Sequence, residues 1–211
     1  MKTLREIFDN QLTLKCDKWE PYFDVYETYF AKFRNQKPTF VEVGVQSGGS
    51  TQMWVQYFGE GATLYGIDIA PEVTEVEGST IVIGDQSSEE FWDEFLDGID
   101  DIDCFLDDGS HVSSHQILTF LKVWPKMKEG GVYICEDTHC SYWGSHIVKG
   151  EMTFIEFSKL FADIVHLDHV GGYPDFFKHL PKDVLHVGFY NSQIVFIKGK
   201  PEFKQVIVNK P

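Results

Sequence analysis

The sequence has few basic residues and no long apolar run. It contains 18 Lys and Arg residues against 33 Asp and Glu residues, which gives a formal net charge of −15 at pH 7. Such an acidic chain repels nucleic-acid phosphates and anionic lipid, so we expect no nucleic acid and no membrane among its partners. No apolar stretch reaches the length of about 20 residues that a transmembrane helix needs. The first residues also lack a signal-peptide pattern, and we therefore expect a cytoplasmic protein.

Cysteine is scarce as well. The four cysteines, Cys16, Cys104, Cys135 and Cys140, form no CxxC pair. Reduced thiols therefore fit the sequence better than a disulfide framework. A zinc site is disfavoured because HExxH is absent and because Cys135 alternates with Glu136 on a predicted strand, which directs its side chain into a core face.

The hydrophobic pattern predicts an α/β fold. The 211 residues suffice for one domain with a sizeable core, and we expect a single domain over residues 1–211. Strand patterns alternate with helical ones, which predicts βαβ units and a parallel sheet with helices on both faces. The predicted strands cover residues 39–45, 63–69, 79–85, 103–108 and 131–137, and residues 184–198 predict two further strands joined by a turn.

Two segments lie outside this alternation. Aromatic residues at three- and four-residue spacings predict that residues 1–36 form a helical arm. We expect this arm to pack on the sheet or on another subunit of a homo-oligomer, and a substrate-covering arm is the alternative. The less regular residues 138–182 are expected to cover the substrate. Within them, Trp143 and Tyr173 are candidates for stacking on a sugar ring, although loop aromatics more often serve packing.

The first strands end in acids or in glycine loops. Ligands of open α/β sheets bind beyond the carboxyl ends of the strands, so these residues are expected on one rim. The glycines after the first strand fall at positions 44, 48 and 49, which does not match GxGxxG, and no GxxxxGK[ST] motif is present. Asp68 ends the second strand, where a carboxylate commonly binds two ribose hydroxyls. Glu42, Gly44 and Asp68 together therefore indicate a nucleoside carried without a pyrophosphate.

Four carboxylates are expected to meet where the fourth and fifth strands end. Asp107 and Asp108 end one strand, and Glu136 and Asp137 end the next. Like charges this close are costly unless a cation lies among them. An all-oxygen set favours Mg²⁺, with Mn²⁺ or Ca²⁺ as alternatives, while each acid taken singly is also compatible with a helix N-cap. His111, three residues after Asp108, is placed to accept a proton from a group bound to the metal.

The motifs at these positions, FVEVGVQSGGS, YGIDIAP, IVIGDQS, FLDDGSH and GGVYICEDTH, resemble class I S-adenosylmethionine-dependent methyltransferases. They are most similar to the Mg-dependent sugar O-methyltransferases of macrolide biosynthesis and to relatives named for cephalosporin hydroxylation. The resemblance covers about residues 39–143. It implies a Rossmann-like α/β fold with a mostly parallel seven-stranded sheet, helices on both faces and a C-terminal antiparallel hairpin.

The resemblance also implies a site. Asp108, Glu136 and Asp137 would hold Mg²⁺, or alternatively Mn²⁺, and His111 would be the catalytic base. S-adenosylmethionine would be the second cofactor. Its predicted site comprises Glu42, Gly44, Val45, Ser47, Ser50, Asp68, Ile69, Gly84, Asp85, Gln86, Ser87 and Asp107.

The expected reaction is methyl transfer to a hydroxyl of a sugar or another vicinal diol, in a small-molecule or glycan acceptor. Three alternatives remain open at this point. A metal-assisted hydrolase would use the same acids to activate water. A metal-dependent oxygenase is weakened by the absence of a visible 2-His-1-carboxylate triad. The third alternative is a non-catalytic cofactor-binding or scaffold protein.

Overall fold

One mixed sheet organises the molecule. The computed structural model describes residues 1–72, 75–169 and 175–200. Within these ranges, seven strands lie in the order β3-β2-β1-β4-β5-β7-β6. The strands are β1 (Thr39–Val43), β2 (Thr63–Asp68), β3 (Thr80–Ile83), β4 (Ile102–Asp107), β5 (Met127–Cys135), β6 (Val184–Phe189) and β7 (Ile194–Lys198).

The pairing of the strands confirms the predicted topology. β1 to β5 are parallel to one another, and β7 runs antiparallel to both β5 and β6. The strand order reverses between β1 and β4, because the chain first builds outward to β3 and then returns to the other side of β1. Such a reversal opens a crevice at the carboxyl ends of the strands.

Six α-helices accompany the sheet within the described residues. They are α1 (Leu4–Gln11), α2 (Tyr22–Phe30), α3 (Gly49–Phe58), α4 (Glu89–Asp97), α5 (Ser113–Val123) and α6 (Phe154–Ile164). Thr3, Ser88 and Thr153 cap α1, α4 and α6 by accepting a backbone N–H through their side chains. α5 ends at Val123, since Pro125 cannot continue it, and β5 starts at Met127.

The core has two halves, one on each face of the sheet. Successive strand residues point to opposite faces, so Val41 and Phe105 pack under α4, α5 and α6, while Phe40 and Leu106 pack under α1, α2 and α3. None of the four cysteines is in a disulfide, and three of them are buried. Within the described residues, no helix is long and apolar enough to cross a membrane.

The N-terminal arm is only partly helical. Residues 12–21, which we call the strap, form no helix between α1 and α2. Here the prediction of a helical arm over residues 1–36 is wrong. The backbone N–H groups of Thr13 and Leu14 donate to Oε1 of Gln52, at 2.9 and 3.2 Å, and this side chain replaces the carbonyl partners that a helix would have supplied.

The segment after β5 divides into two parts. Two short 3₁₀ helices, Thr138–Tyr142 and Gly144–His146, border the carboxyl ends of the strands. α6 instead buries Phe154, Phe157 and Phe161 in the core, so this part serves packing. A covering role for residues 138–182 stays a prediction, and Tyr173 lies outside the described residues.

Candidate functional site

Two adjoining cavities lie at the carboxyl ends of the strands. The larger has a volume of about 720 Å³ and is enclosed between the strap and the ends of β1, β4 and β5. The smaller, of about 160 Å³, lies beyond β2 and β3. Gly44, Asp68 and Gly109 line both cavities, so the two form one crevice. This crevice sits where the strand order reverses, the usual ligand position in such sheets.

Glycine lets the backbone approach closely at the floor of the crevice. Gly44 has φ +93°, and a Cβ at this position would collide with the carbonyl oxygen of Asp108. Only a residue without a side chain therefore allows β1 and β4 to end side by side at this point. Gly48, in the left-handed conformation, then starts α3.

Asp68 ties the loop after β1 to the end of β2. Its Oδ2 accepts the backbone N–H groups of Val45 and Gln46, both at 2.9 Å, and its Oδ1 accepts that of Ala70, also at 2.9 Å. The carboxylate lines both cavities and marks the boundary between them. Its contact with a ribose stays a prediction.

Glu42 lies behind the loop and not in the crevice. It is fully buried, and its two oxygens accept hydrogen bonds from Oγ1 of Thr51 at 2.8 Å and Nε1 of Trp54 at 3.2 Å. Burial raises the pKa of Glu42 to about 7, and the charge of Lys18 acts in the opposite direction. Glu42 thus fixes α3 against β1.

The smaller cavity has the form of an apolar slot with polar ends. Ile69, 67% exposed, lines it together with Gly84, Asp85 and Gln86. The Gln86 amide donates to Oδ1 of Asp107 at 2.6 Å and accepts the backbone N–H of Ser110 at 2.9 Å. These two bonds hold Gln86 in one orientation.

Asp107 lies behind this slot and binds Gln86, which lines it. It is fully buried, accepts the Tyr133 hydroxyl at 3.1 Å, and burial raises its pKa to about 6. Its visible role is to orient Gln86 and Tyr133. Its assignment as a direct cofactor contact stays a prediction.

Asp108, His111 and Asp137 form a cluster in the larger cavity. Each offers one ligand atom, and these atoms lie within 4.8 Å of one another. Nε2 of His111 is 3.6 Å from Oδ2 of Asp137, and Nδ1 of His111 is buried with no hydrogen-bond partner in the described part of the chain. Carboxylate and imidazole ligands at this spacing fit a divalent ion such as Mg²⁺ or Mn²⁺. The cluster contains one histidine, so the described residues form no 2-His-1-carboxylate site.

Glu136 is engaged elsewhere. Its side chain is 1% exposed, its Oε2 accepts from Nζ of Lys18 at 2.9 Å, and its Oε1 accepts from the Tyr26 hydroxyl. Burial and the neighbouring Asp108 raise the pKa of Glu136 to about 8, while Lys18 and Tyr26 oppose this rise. The structure thus brings Asp108 and Asp137 together with His111, whereas the sequence predicted Glu136 as their companion. Glu136 as a metal ligand stays a prediction.

Three side chains of the N-terminal arm contact the carboxylates of Asp108, Glu136 and Asp137, and sequence reasoning missed all three. They are Lys18, Tyr22 and Tyr26. Nζ of Lys18 also pairs with Oδ2 of Asp108, and the Lys18 side chain is 2% exposed. Burial alone would lower the pKa of Lys18, but attraction to Asp108 and Glu136 raises it well above its ordinary value, so the amine is an ammonium. Tyr22 donates to Oδ1 of Asp137 at 2.5 Å. A signal existed only for Tyr22 and Tyr26, which stand four residues apart on α2 and each carry a polar tip, whereas Lys18 lies in the non-helical strap.

The cavities include most of the predicted site. Asp108, Glu136, Asp137 and His111 line the larger one, as do Val45 and Ser50. Four predicted cofactor residues line neither cavity: Glu42, Ser47, Ser87 and Asp107. Ser87 instead donates its N–H and its hydroxyl to Asp85, and these hydrogen bonds lower the pKa of that carboxyl.

Comparison with known proteins agrees with this geometry. Residues 41–138 match the model of a family described as a methyltransferase domain. The solved structure of the MycE methyltransferase from the mycinamycin biosynthetic pathway, in complex with Mg and SAH, superimposes with a TM-score of 0.80. This chain has the class I methyltransferase fold. The match is 24% identical and covers 95% of this chain and 54% of that chain, so it establishes the class I methyltransferase fold alone.

Curated relatives carry the resemblance further. The 8-demethyl-8-alpha-L-rhamnosyl tetracenomycin-C 2'-O-methyltransferase of Streptomyces olivaceus is 39% identical over 137 residues, which make up 60% of this chain and 36% of that protein. The mycinamicin VI 2''-O-methyltransferase of Micromonospora griseorubida is 35% identical over 127 residues, or 56% of this chain and 31% of that protein. The resemblance to sugar O-methyltransferases is therefore confirmed. This chain spans about a third of the length of these two relatives.

Proposed function

We propose that this chain transfers a methyl group from S-adenosylmethionine to a hydroxyl of a sugar or another vicinal diol, with the help of a divalent ion. One observation carries the proposal. A single crevice joins a slot of nucleoside-base size to a cluster of metal-ligating side chains, and Asp68 lies at the junction. Of the two relatives named above, one is named a 2'-O-methyltransferase of a rhamnosyl tetracenomycin-C and the other a 2''-O-methyltransferase of mycinamicin VI, and the MycE structure contains Mg and SAH.

The cofactor would lie along the whole crevice. Ile69, Gly84 and Gln86 would enclose the adenine, and Asp68 would contact the ribose hydroxyls. The backbone of residues 44–50 would contact the amino-acid end. The acidic rim suits the positive charge of a sulfonium, since opposite charges attract strongly in a partly buried site.

The acceptor hydroxyl needs activation because an alcohol is a poor nucleophile at neutral pH. When bound, a divalent ion lowers the pKa of a hydroxyl that it coordinates and orients it. Asp108 and Asp137 would hold such an ion. His111, which lines the larger cavity beside Asp137, would accept the proton of the acceptor hydroxyl.

The first test is calorimetric titration of S-adenosylmethionine into the metal-free protein, repeated with Mg²⁺. We expect binding in both cases, because the slot and the cluster are separate parts of the crevice. Methyl transfer is then assayed on glycosides that carry a vicinal diol, with matched 2-deoxy glycosides as controls. Absence of cofactor binding in both titrations would overturn the proposal.

A further inference from the structure

The carboxylates of Asp108, Glu136 and Asp137, which we call the acid cluster, already hold a cation of the chain itself. The Lys18 ammonium lies between Asp108 and Glu136, with its side chain 2% exposed. We propose that Lys18 competes with the divalent ion for Asp108, so that metal binding releases the strap from the rim of the crevice. This inference rests on the proposed function, from which the divalent ion is taken.

The charges make simultaneous occupancy unfavourable. Asp108 is shared between the Lys18 ion pair and the cluster with His111 and Asp137. A divalent ion bound to Asp108 would repel an ammonium at contact distance from the same carboxylate, in surroundings that screen charge poorly. Lys18 would then be a buried charge that has lost part of its compensation, a costly state that is relieved when its side chain moves into water.

The strap connects Lys18 to the rest of the rim. Lys15, Cys16, Asp17, Lys18 and Trp19 all line the larger cavity. The ring of Trp19 stacks on His139, with centroids 4.9 Å apart. Near the other end of the strap, the carbonyl of Lys15 lies so close to Gly49 that a Cβ there would collide with it. The seated strap thus covers both the acid cluster and the loop after β1.

Of the strap side chains that line the cavity, Lys18 has the strongest tie to the cluster. Lys15 is 74% exposed and pairs with Asp17 of the strap itself. The other contacts of the strap include hydrogen bonds to Gln52, stacking of Trp19, the exposed ion pair of Glu20 with Arg5 and packing of the partly buried Leu12, and each of these is individually weak. Loss of the Lys18 ion pairs would therefore free the strap without disturbing the sheet.

Cys16 provides a reporter for this movement. It belongs to the strap and is partly buried, and burial raises the pKa of its thiol to about 12. The other three cysteines are buried. Release of the strap would expose Cys16 and lower its thiol pKa towards the ordinary value, and both changes speed alkylation.

The experiment measures Mg²⁺ binding by calorimetry and Cys16 alkylation by iodoacetamide, followed by peptide mass spectrometry, in the full chain without cofactor or acceptor. The variants are Lys18→Met and the matched control Lys15→Met, which removes the same charge from the same segment. We expect Lys18→Met to bind Mg²⁺ at least about tenfold more tightly than the wild type, because no competing state has to be displaced. Lys15→Met should stay within about threefold, as an exposed charge has a small effect.

Alkylation completes the test. Mg²⁺ should accelerate Cys16 modification in the wild type and in Lys15→Met, whereas Lys18→Met should react fast with or without the ion. Equal Mg²⁺ affinities of the wild type and Lys18→Met would overturn the competition, and alkylation unaffected by Mg²⁺ in the wild type would overturn strap release. Absence of Mg²⁺ binding in every variant would instead refute the metal dependence in the proposed function.

A second variant guards against misfolding of Lys18→Met. Gly49→Ala places a methyl group against the carbonyl of Lys15 and so unseats the strap with the charge of Lys18 retained. It should also bind Mg²⁺ more tightly and expose Cys16. Tighter binding in Lys18→Met but not in Gly49→Ala would assign the effect to charge alone and overturn the role of the strap.

Discussion

Strained backbone at the rim holds individual side chains in place. Gln46, His111 and Asp137 have φ values of 50°, 58° and 50°, in a region that residues with a Cβ rarely adopt. All three line the larger cavity. Such strain is commonly stored at functional sites, where the surrounding structure enforces it. At His111 and Asp137 it directs an imidazole and a carboxylate towards Asp108.

The metal ligands can be tested one carboxylate at a time. Asp108→Asn and Asp137→Asn should each abolish methyl transfer, because a neutral amide lacks the negative charge with which a carboxylate attracts a divalent ion. Affinity for S-adenosylmethionine should stay within about threefold, because neither Asp108 nor Asp137 lines the slot that would enclose the adenine. Asp17→Asn, an exposed acid that lines the same cavity, is the control and should retain activity. Full activity of Asp108→Asn in EDTA would contradict the assignment.

The base can be tested separately. His111→Ala should lower kcat by about 10²-fold or more, the low end for general base catalysis. Its Mg²⁺ affinity, measured by calorimetry, distinguishes a base from a ligand. If the variant has a lower kcat but an unchanged Mg²⁺ affinity, His111 acts as the base. If both kcat and Mg²⁺ affinity are lost, His111 is a metal ligand. A kcat close to that of the wild type would remove His111 from both roles.

At the scale of elements, α3 and β1 are joined through one buried carboxyl. Glu42 on β1 accepts hydrogen bonds from Thr51 and Trp54 on α3. Burial raises its pKa from 4.5 to about 7. The unfolded chain therefore releases this proton at lower pH than the folded one, so that the free energy of unfolding falls as pH rises between these two values.

Glu42→Gln should remove this pH dependence, because an amide does not titrate. Between pH 5 and pH 8 the wild type should lose up to about 3 kcal/mol more stability than the variant, an upper bound from the pKa difference. Urea unfolding at both pH values measures it. Glu60→Gln, at an exposed position, is the control and should parallel the wild type. Parallel pH curves for the wild type and Glu42→Gln would refute the prediction.

At the scale of the molecule, aromatic packing joins the N-terminal helices to the sheet. The Trp54 ring packs against Tyr26 and Phe30 of α2 and against Phe40 of β1. It is fully buried. Through these contacts α2, which carries Tyr22 and Tyr26, has a fixed position relative to the acid cluster, whereas Lys18 lies on the strap that precedes it.

Trp54→Ala should lower the free energy of unfolding by about 3–5 kcal/mol, the usual cost of removing a large buried aromatic. Trp143→Ala is the control. The Trp143 side chain is 50% exposed, and its removal should change stability by less than about 1 kcal/mol. Urea unfolding of both variants measures the difference, and equal losses would contradict the packing argument.

The sequence by itself determined the sheet and the rim of the crevice. The strand and helix periodicities are local, and parallel strands necessarily bring their carboxyl ends to one edge. Gly44, Asp68, Asp108 and Asp137 could therefore be assigned to one site. Sequence periodicity did not reveal that residues 12–21 leave the helical pattern, because the backbone N–H groups of Thr13 and Leu14 donate to Gln52, which is 39 and 38 residues away.

Only the tertiary structure decided which side chains of the rim meet. Lys18 reaches Asp108 across 90 residues and Glu136 across 118 residues of sequence, and no local pattern encodes such a contact. Burial likewise decided that Glu42 and Asp107 lie behind the crevice, although they stand on strands that end at it. Alternation along a strand gives two faces, but the helices that pack there determine which polar groups remain accessible.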